Sequence, residues 1–307
     1  MDINSNQPVN WFHRSPSKSN QYCLYCGRFV GEGADIESNK EHLIARNFVP
    51  TGEFDGGCAF NFIFRACKRC NDEKAEAERH LSTVTLFNSP ARKDAKEYDE
   101  IALRKGKKDY HPDKRGTLLQ DSGDRFDIVA KDLGLKITFG IKSLPQASPD
   151  YVDFLAFKHI QGLCSLILTT NPLKAENTRL LNYESFHLFG AFSHADWGNS
   201  HMLAIIERTK KLPCVLNVST ANAFFKAILC VDRENTGEWF WALEWNKYLR
   251  IVGAISPSQE TPKLFKDLPP LNWNVLKSQN EVQTRIRMEE PISDEQDTLF
   301  QDFFDYD

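Results

Sequence analysis

The chain has 307 residues, 41% apolar and 26% charged, with a formal net charge of −4 at pH 7. This is the composition of an ordinary globular protein, which excludes a disordered or fibrous chain, and the length allows two domains, each with its own core. No run approaches the roughly 20 apolar residues that a membrane-spanning helix requires. The polar opening MDINSNQPVNWFHRSPSKSN has no apolar stretch of the kind a secretory signal carries. A cytoplasmic, reducing setting with no membrane partner is the expectation.

Residues 1–20, rich in Asn and Ser, are predicted to be a flexible arm. A cysteine-bearing segment, 21–95, follows. Its apolar runs LIARNFV and FNFIF, separated by Gly-rich turns at 31–33 and 56–57, suit a small hairpin. After Cys70 the run NDEKAEAERHL favours a helix, with Asn71 as its cap and Asp72 and Glu73 at its positive end. Residues 96–122 are charged and turn-rich and are predicted to be a linker. A second domain is expected over 123–265: a hairpin turning near Gly134, an amphipathic helix over 151–168, then strands in FHLFGAF, MLAIIE, CVLNVS, AFFKAILCVD, EWFWALEW and LRIVGAI. The turn RENTGE makes two of these an antiparallel pair. Trp239, Trp241, Leu243 and Trp245 alternate on one strand face, as core or as a stacking surface for bases. An acidic tail is expected over 266–307. The fold class predicted is α+β, with a mainly antiparallel sheet in the second domain.

In a reducing setting eight cysteines are not a disulfide framework, so spacing decides their meaning. Cys164, Cys214 and Cys230 stand singly in apolar runs, as buried thiols do, and Cys58 is unpaired by pattern. Cys23 and Cys26 form one C-x-x-C, Cys67 and Cys70 another, with 40 residues between the pairs. Four thiolates fill a tetrahedral zinc site and leave no open position, so the zinc expected here is structural. It would pin the ends of a segment too small to fold on its own core.

Between and around these cysteines the chain reads CLYCG at 23–27, KEHLIARNF at 40–48, FNFI at 60–63 and ACKRCNDEK at 66–74. A cysteine knuckle, an acid–His pair, a central Asn, then a second knuckle followed by Asn and Lys resembles the HNH endonuclease family, whose fold is a ββα-metal unit. The resemblance covers about a quarter of the chain. Asn71 at the third position resembles the H-N-N variant in the nuclease domain of RNA-guided Cas9 enzymes, and Glu41 stands where the family more often has Asp. The resemblance implies phosphodiester hydrolysis in nucleic acid, DNA above all. It also implies that Asn61 holds the His42 loop through backbone hydrogen bonds without touching substrate.

Chemistry agrees with those assignments. Cutting a phosphodiester requires a base for water and a cation for the developing charge. His42 is the candidate base, its imidazole near the usual pKa. Glu41 and the Asn71 amide oxygen are hard donors suited to a catalytic Mg²⁺ or Mn²⁺. Lys74, one helical turn beyond Asn71, can reach a phosphate, and Arg65, Lys68, Arg69, Arg104, Lys105, Lys107 and Lys108 can hold the backbone without reading sequence. His80 is expected to be a plain helix-end histidine. The alternative is a zinc-dependent nucleic-acid-binding module that does not cut; His42 discriminates, because a binder does not require a base between two metal donors. Residues 281–307 hold nine Asp and Glu with Leu299, Phe300, Phe303, Phe304 and Tyr306 among them. That pattern suggests a helical segment that docks on a protein partner or covers the basic nuclease surface.

Overall fold

The computed structural model describes residues 2–4, 20–54, 60–132, 135–168, 181–232, 238–258, 260–279 and 282–301. The turns expected at 56–57, 134 and 233–237, and the aromatics Phe303, Phe304 and Tyr306, lie outside them. Among the described residues no helix is long and apolar enough to cross a membrane.

The first half is built on a hairpin and a helix. Strand β2 (Ser38–His42) pairs antiparallel with β3 (Ile63–Cys67), and helix α1 (Lys68–Asn88) follows β3 without a break. The hairpin's first strand is the polar SNKEH and not the apolar LIARNFV, which turns instead and buries Leu43, Ile44, Phe48 and Val49. Helix α1 starts earlier than the capping pattern suggests. Its N-cap is Cys67, so Asn71 is its fourth residue, and Asp72 and Glu73 pair with Lys68 and Arg69 one turn back. Strong helix formers carry it to Asn88, and Pro90 favours extended backbone in the residue before it.

The charged stretch expected as a linker is largely helix. After the short α2 (Ala91–Asp94), α3 (Lys96–Gly106) packs on α1 through Ile101 and Ala102. Strands β4 (Arg125–Asp132) and β5 (Leu135–Lys142) then form the expected antiparallel hairpin, and α4 (Pro149–Leu168) packs along α1. Gly162 lets α4 approach the loop after β2, since a Cβ there would stand 2.3 Å from a Leu43 methyl.

The second half is a six-stranded sheet. Its strands are β6 (Phe186–Ser193), β7 (Cys214–Thr220), β8 (Phe225–Val231), β9 (Trp239–Trp245), β10 (Leu249–Ile255) and, at one edge, β1 (Asp2–Asn4). The order is β1-β7-β8-β9-β10-β6, antiparallel except for β1 beside β7. Three residues of the expected flexible arm therefore belong to the sheet. MLAIIE is not a strand. It lies in α5 (Ser200–Thr209), capped by the Asn199 side chain on Met202 N–H, and it buries Met202, Ile205, Ile206 and Thr209 at helical spacing.

Alternation gives the sheet two buried faces. Trp241, Leu243, Trp245, Phe225, Leu229 and Ile251 join one hydrophobic cluster with Leu43, Phe48, Phe60, Leu81 and Ile160. The hairpin, α1, α4 and this sheet face thus share a core, where two separate cores were expected. Polar bonds close the same seam: Asn246 Nδ2 donates to Phe48 O (3.0 Å), and Thr220 Oγ1 to Phe60 O (2.8 Å). Trp241 and Trp245 are fully buried, so they are core and not a stacking surface.

The other face packs Phe240, Val252 and Ala254 against α5 and the C-terminal segment. Order continues past residue 256: Phe265 is buried, and β11 (Trp273–Gln279) pairs with β12 (Val282–Arg287). The acidic segment that follows forms turns, not a helix, and Leu299 seats in this second cluster.

Candidate functional site

The first knuckle is a tight turn in which Gly27 N–H donates to Cys23 O, with Gly27 at φ 71, a conformation that favours glycine. The second knuckle is the junction of β3 and α1. Together they bring one sulfur from each of Cys23, Cys26, Cys67 and Cys70 to within 4.8 Å of one another. Cys23 is drawn down to about 5 by hydrogen bonding from Cys70, and the same contact pushes Cys70 up. Four sulfurs so placed, one already favouring the thiolate, can hold a metal ion such as zinc. Cys164, Cys214 and Cys230 are buried and free, as expected, and Cys58 lies outside the described residues.

Glu41 and His42 end β2 beside Phe64 and Ile63 of β3. Asn61 brackets the loop that follows: its Nδ2 donates to Ile44 O (2.6 Å), and its Oδ1 accepts from Ile44 N (3.2 Å). His42 is half-buried, and its Nε2 is buried with no hydrogen-bond partner among the described residues. Its pKa is not ordinary. Burial, then the charges of Lys40, Arg46 and Lys74, lower it to about 4, so the ring is neutral at physiological pH.

Lys74 is the main departure from expectation. Its side chain is fully buried, with Nζ 2.8 Å from Glu41 Oε1, 2.7 Å from Glu78 Oε1 and 3.2 Å from His42 O. It is committed inside the protein and does not reach a phosphate. Burial works against its charge, but Glu78 and Glu41 outweigh burial and hold it above the ordinary lysine range. Of the two carboxylates, Glu41 is pushed up by burial and by Glu78, although Lys74 opposes both. Glu78 is also buried, yet Lys74 and His159 hold it below the usual range. Glu78 further accepts from Ala45 N (3.0 Å), so one side chain anchors both Lys74 and the loop after His42. Tyr25 of the first knuckle donates to Glu41 (3.1 Å).

Asn71 is half-buried on α1, one turn before Lys74 and on the same face. Among the described residues, only the cysteine quartet groups three or more His, Cys, Asp or Glu donors closely enough to share an ion. The donors therefore fit zinc at the cysteines. No such grouping among the described residues surrounds Glu41 and Asn71, and the Glu41 carboxylate is already paired with Lys74.

The expected phosphate contacts divide. Arg65 donates to Val30 O (2.6 Å), bracing the first knuckle on β3. Lys68 and Arg69 are exposed in ion pairs with Asp72 and Glu73. Arg104, Lys105 and Lys108 line a cleft of about 430 Å³ between α1, α3 and the loop 45–48, together with Arg79; Lys107 is exposed beside it. His80 is not at a helix end: mid-α1 and buried, its Nε2 accepts from Ser148 N (3.0 Å). The sequence reading overlooked Tyr25, Glu78, Arg79 and His159. The spacing of Glu78 four residues after Lys74 is the one signal that pointed to any of them.

Fold and site together define a class: an α+β chain with a mostly antiparallel sheet, whose hairpin–helix unit is closed by four cysteines able to hold a metal ion. No protein-family model matches the chain, and neither the curated proteins nor the solved structures give a match.

Proposed function

We propose that the chain is an HNH-type endonuclease that hydrolyses phosphodiester bonds in nucleic acid, DNA above all. The observation that carries this reading is Asn61, whose amide brackets Ile44 and fixes the loop directly after His42. The resemblance assigns Asn61 that task, and an ordinary hairpin loop does not require a buried amide at this position. His42 then acts as general base, its imidazole taking a proton from water. A ring lowered to about 4 is a weak base in the free protein. A phosphodiester anion docked beside it restores basicity, because a neighbouring negative charge favours the imidazolium. Zinc on the four cysteines ties the first knuckle to the β3–α1 junction and so holds the hairpin in register. A dependence on Mg²⁺ or Mn²⁺ is part of the proposal as an assay condition only, and no step is derived through such an ion.

The test is cleavage of plasmid DNA and of RNA by the parent and by His42→Ala, each with Mg²⁺ and with EDTA, alongside zinc content. The reading expects parental cleavage lost in His42→Ala while zinc and nucleic-acid affinity stay near the parent's, as for a group acting in the transition state. A parent that binds nucleic acid without cutting favours the non-catalytic module instead.

A further inference from the structure

We propose that the cleft between α1 and α3 is the seat of a nucleic-acid phosphate backbone, held by Arg79, Arg104, Lys105 and Lys108. The proposal rests on the nuclease reading for the identity of the polymer. The cations come from α1, α3 and the turn that follows α3, and line one concavity of about 430 Å³. Some exposed cations elsewhere are neutralised, as in Lys68–Asp72, Arg69–Glu73 and Lys114–Asp124, and others such as Lys93 and Lys211 stand singly among the described residues; these four share one concavity. Among the described residues these four have no carboxylate within ion-pair distance. The two acids lining the cleft are engaged elsewhere, Glu78 by Lys74 and Ala45 N, and Asp109 by the Thr83 hydroxyl.

Lys105 adds a second observation. Its Nζ donates only to neutral acceptors, Asn47 O and Ser82 Oγ, each at 2.5 Å, and burial lowers it to about 8. Asp109 and Glu78 act on this ammonium only from beyond ion-pair distance, so it keeps room for an anion in direct contact. Four positive charges spread over α1, α3 and the turn after α3 suit the repeated anions of a strand better than one free phosphate. The wall formed by Ala45, Asn47 and Phe48 continues the loop that follows His42, so a strand lying in the cleft runs beside that loop.

The experiment uses the full chain carrying His42→Ala, so that cutting does not interfere, and a fluorescein-labelled DNA duplex. Binding is followed by anisotropy over about 50 to 200 mM salt. Arg79→Gln, Arg104→Gln and Lys108→Gln are combined in one variant; all three side chains are exposed, so zinc content and unfolding midpoint should match the parent. A control variant removes equal charge at exposed Lys93, Lys96 and Lys211. The cleft variant is expected to bind about tenfold or more weakly, with a salt slope reduced by about two to three, and the control to bind like the parent. Equal affinity and slope in the two variants overturns the cleft, as does a parent that does not bind the duplex. A parent that binds through the cleft but never cuts sinks the nuclease reading and leaves the cleft standing.

Discussion

The ammonium of Lys74 lies 2.8 Å from the Glu41 carboxylate, with neither side chain more than 6% exposed. Glu78 completes the chain of charges at 2.7 Å. Removing the cation alone leaves two carboxylates buried together. Lys74→Met should therefore destabilise the fold by about 3–5 kcal/mol in urea unfolding. The double variant Lys74→Met, Glu41→Gln should recover part of that loss, because one of the stranded charges goes with it. Unchanged stability with weakened nucleic-acid binding would instead make Lys74 a phosphate ligand.

The cysteine quartet gives an independent prediction. Protein purified without chelator should carry about one zinc per chain, measured by atomic emission. Cys67→Ser should lose the metal and much of the hairpin's order, because Cys67 supplies one of the four sulfurs and sits at the junction of β3 and α1. A fully folded, zinc-free parent would sink the metal reading.

Much of this was legible because the residues concerned have few alternative uses. Two C-x-x-C pairs have few alternative uses, and the near-continuous apolar runs of β8 to β10 announce a sheet buried on both sides. The rest depended on partners distant in sequence. MLAIIE is apolar enough to pass for a strand, and only the Asn199 cap and its packing against the sheet make it helix. Helix α3 buries just Ile101, Ala102 and Gly106, so its sequence is dominated by charge and reads as linker. Lysine is ordinarily exposed, and the burial of Lys74 on α1 depends on Glu41, which comes from strand β2.

Acid should weaken the fold through His80. Burial lowers its pKa to about 4, against an unfolded value near 6.5, with His111 adding repulsion. Its Nε2 is an acceptor for Ser148 N–H, which the protonated ring is not. The folded state resists protonation, so this contribution is complete above pH ~6.5 and is lost progressively as pH falls toward ~4, reaching roughly 3 kcal/mol. Urea midpoints at about pH 7.5 and 5 should therefore fall further apart in the parent than in His80→Gln. Thiolate protonation affects both proteins alike and cancels in the difference. Identical pH slopes would remove His80 from the account.

The C-terminal segment yields the last prediction. Its charge and aromatics suggested a cover for the basic nuclease surface. In the structure its described part, to Gln301, lies on the other sheet face. There Asp297 pairs with Arg250 at 2.5 Å, and Leu299 is 2% exposed. Arg250 is fully buried, bound also to Glu244, and its guanidinium stacks 3.6 Å above the Trp197 ring. Asn217 donates to Phe300 O (2.9 Å) and fastens the end of the segment to β7. Deleting 289–307 uncovers this apolar face and removes one of the two acids that neutralise Arg250. The effect should appear in stability: Leu299→Ala alone should cost about 2–4 kcal/mol, and the deletion more. Affinity for DNA at low salt should stay near the parent's, since none of the described acids of this segment lines the cleft of Arg79, Arg104, Lys105 and Lys108. A deletion that leaves the unfolding midpoint in place and raises low-salt binding would restore the shielding role.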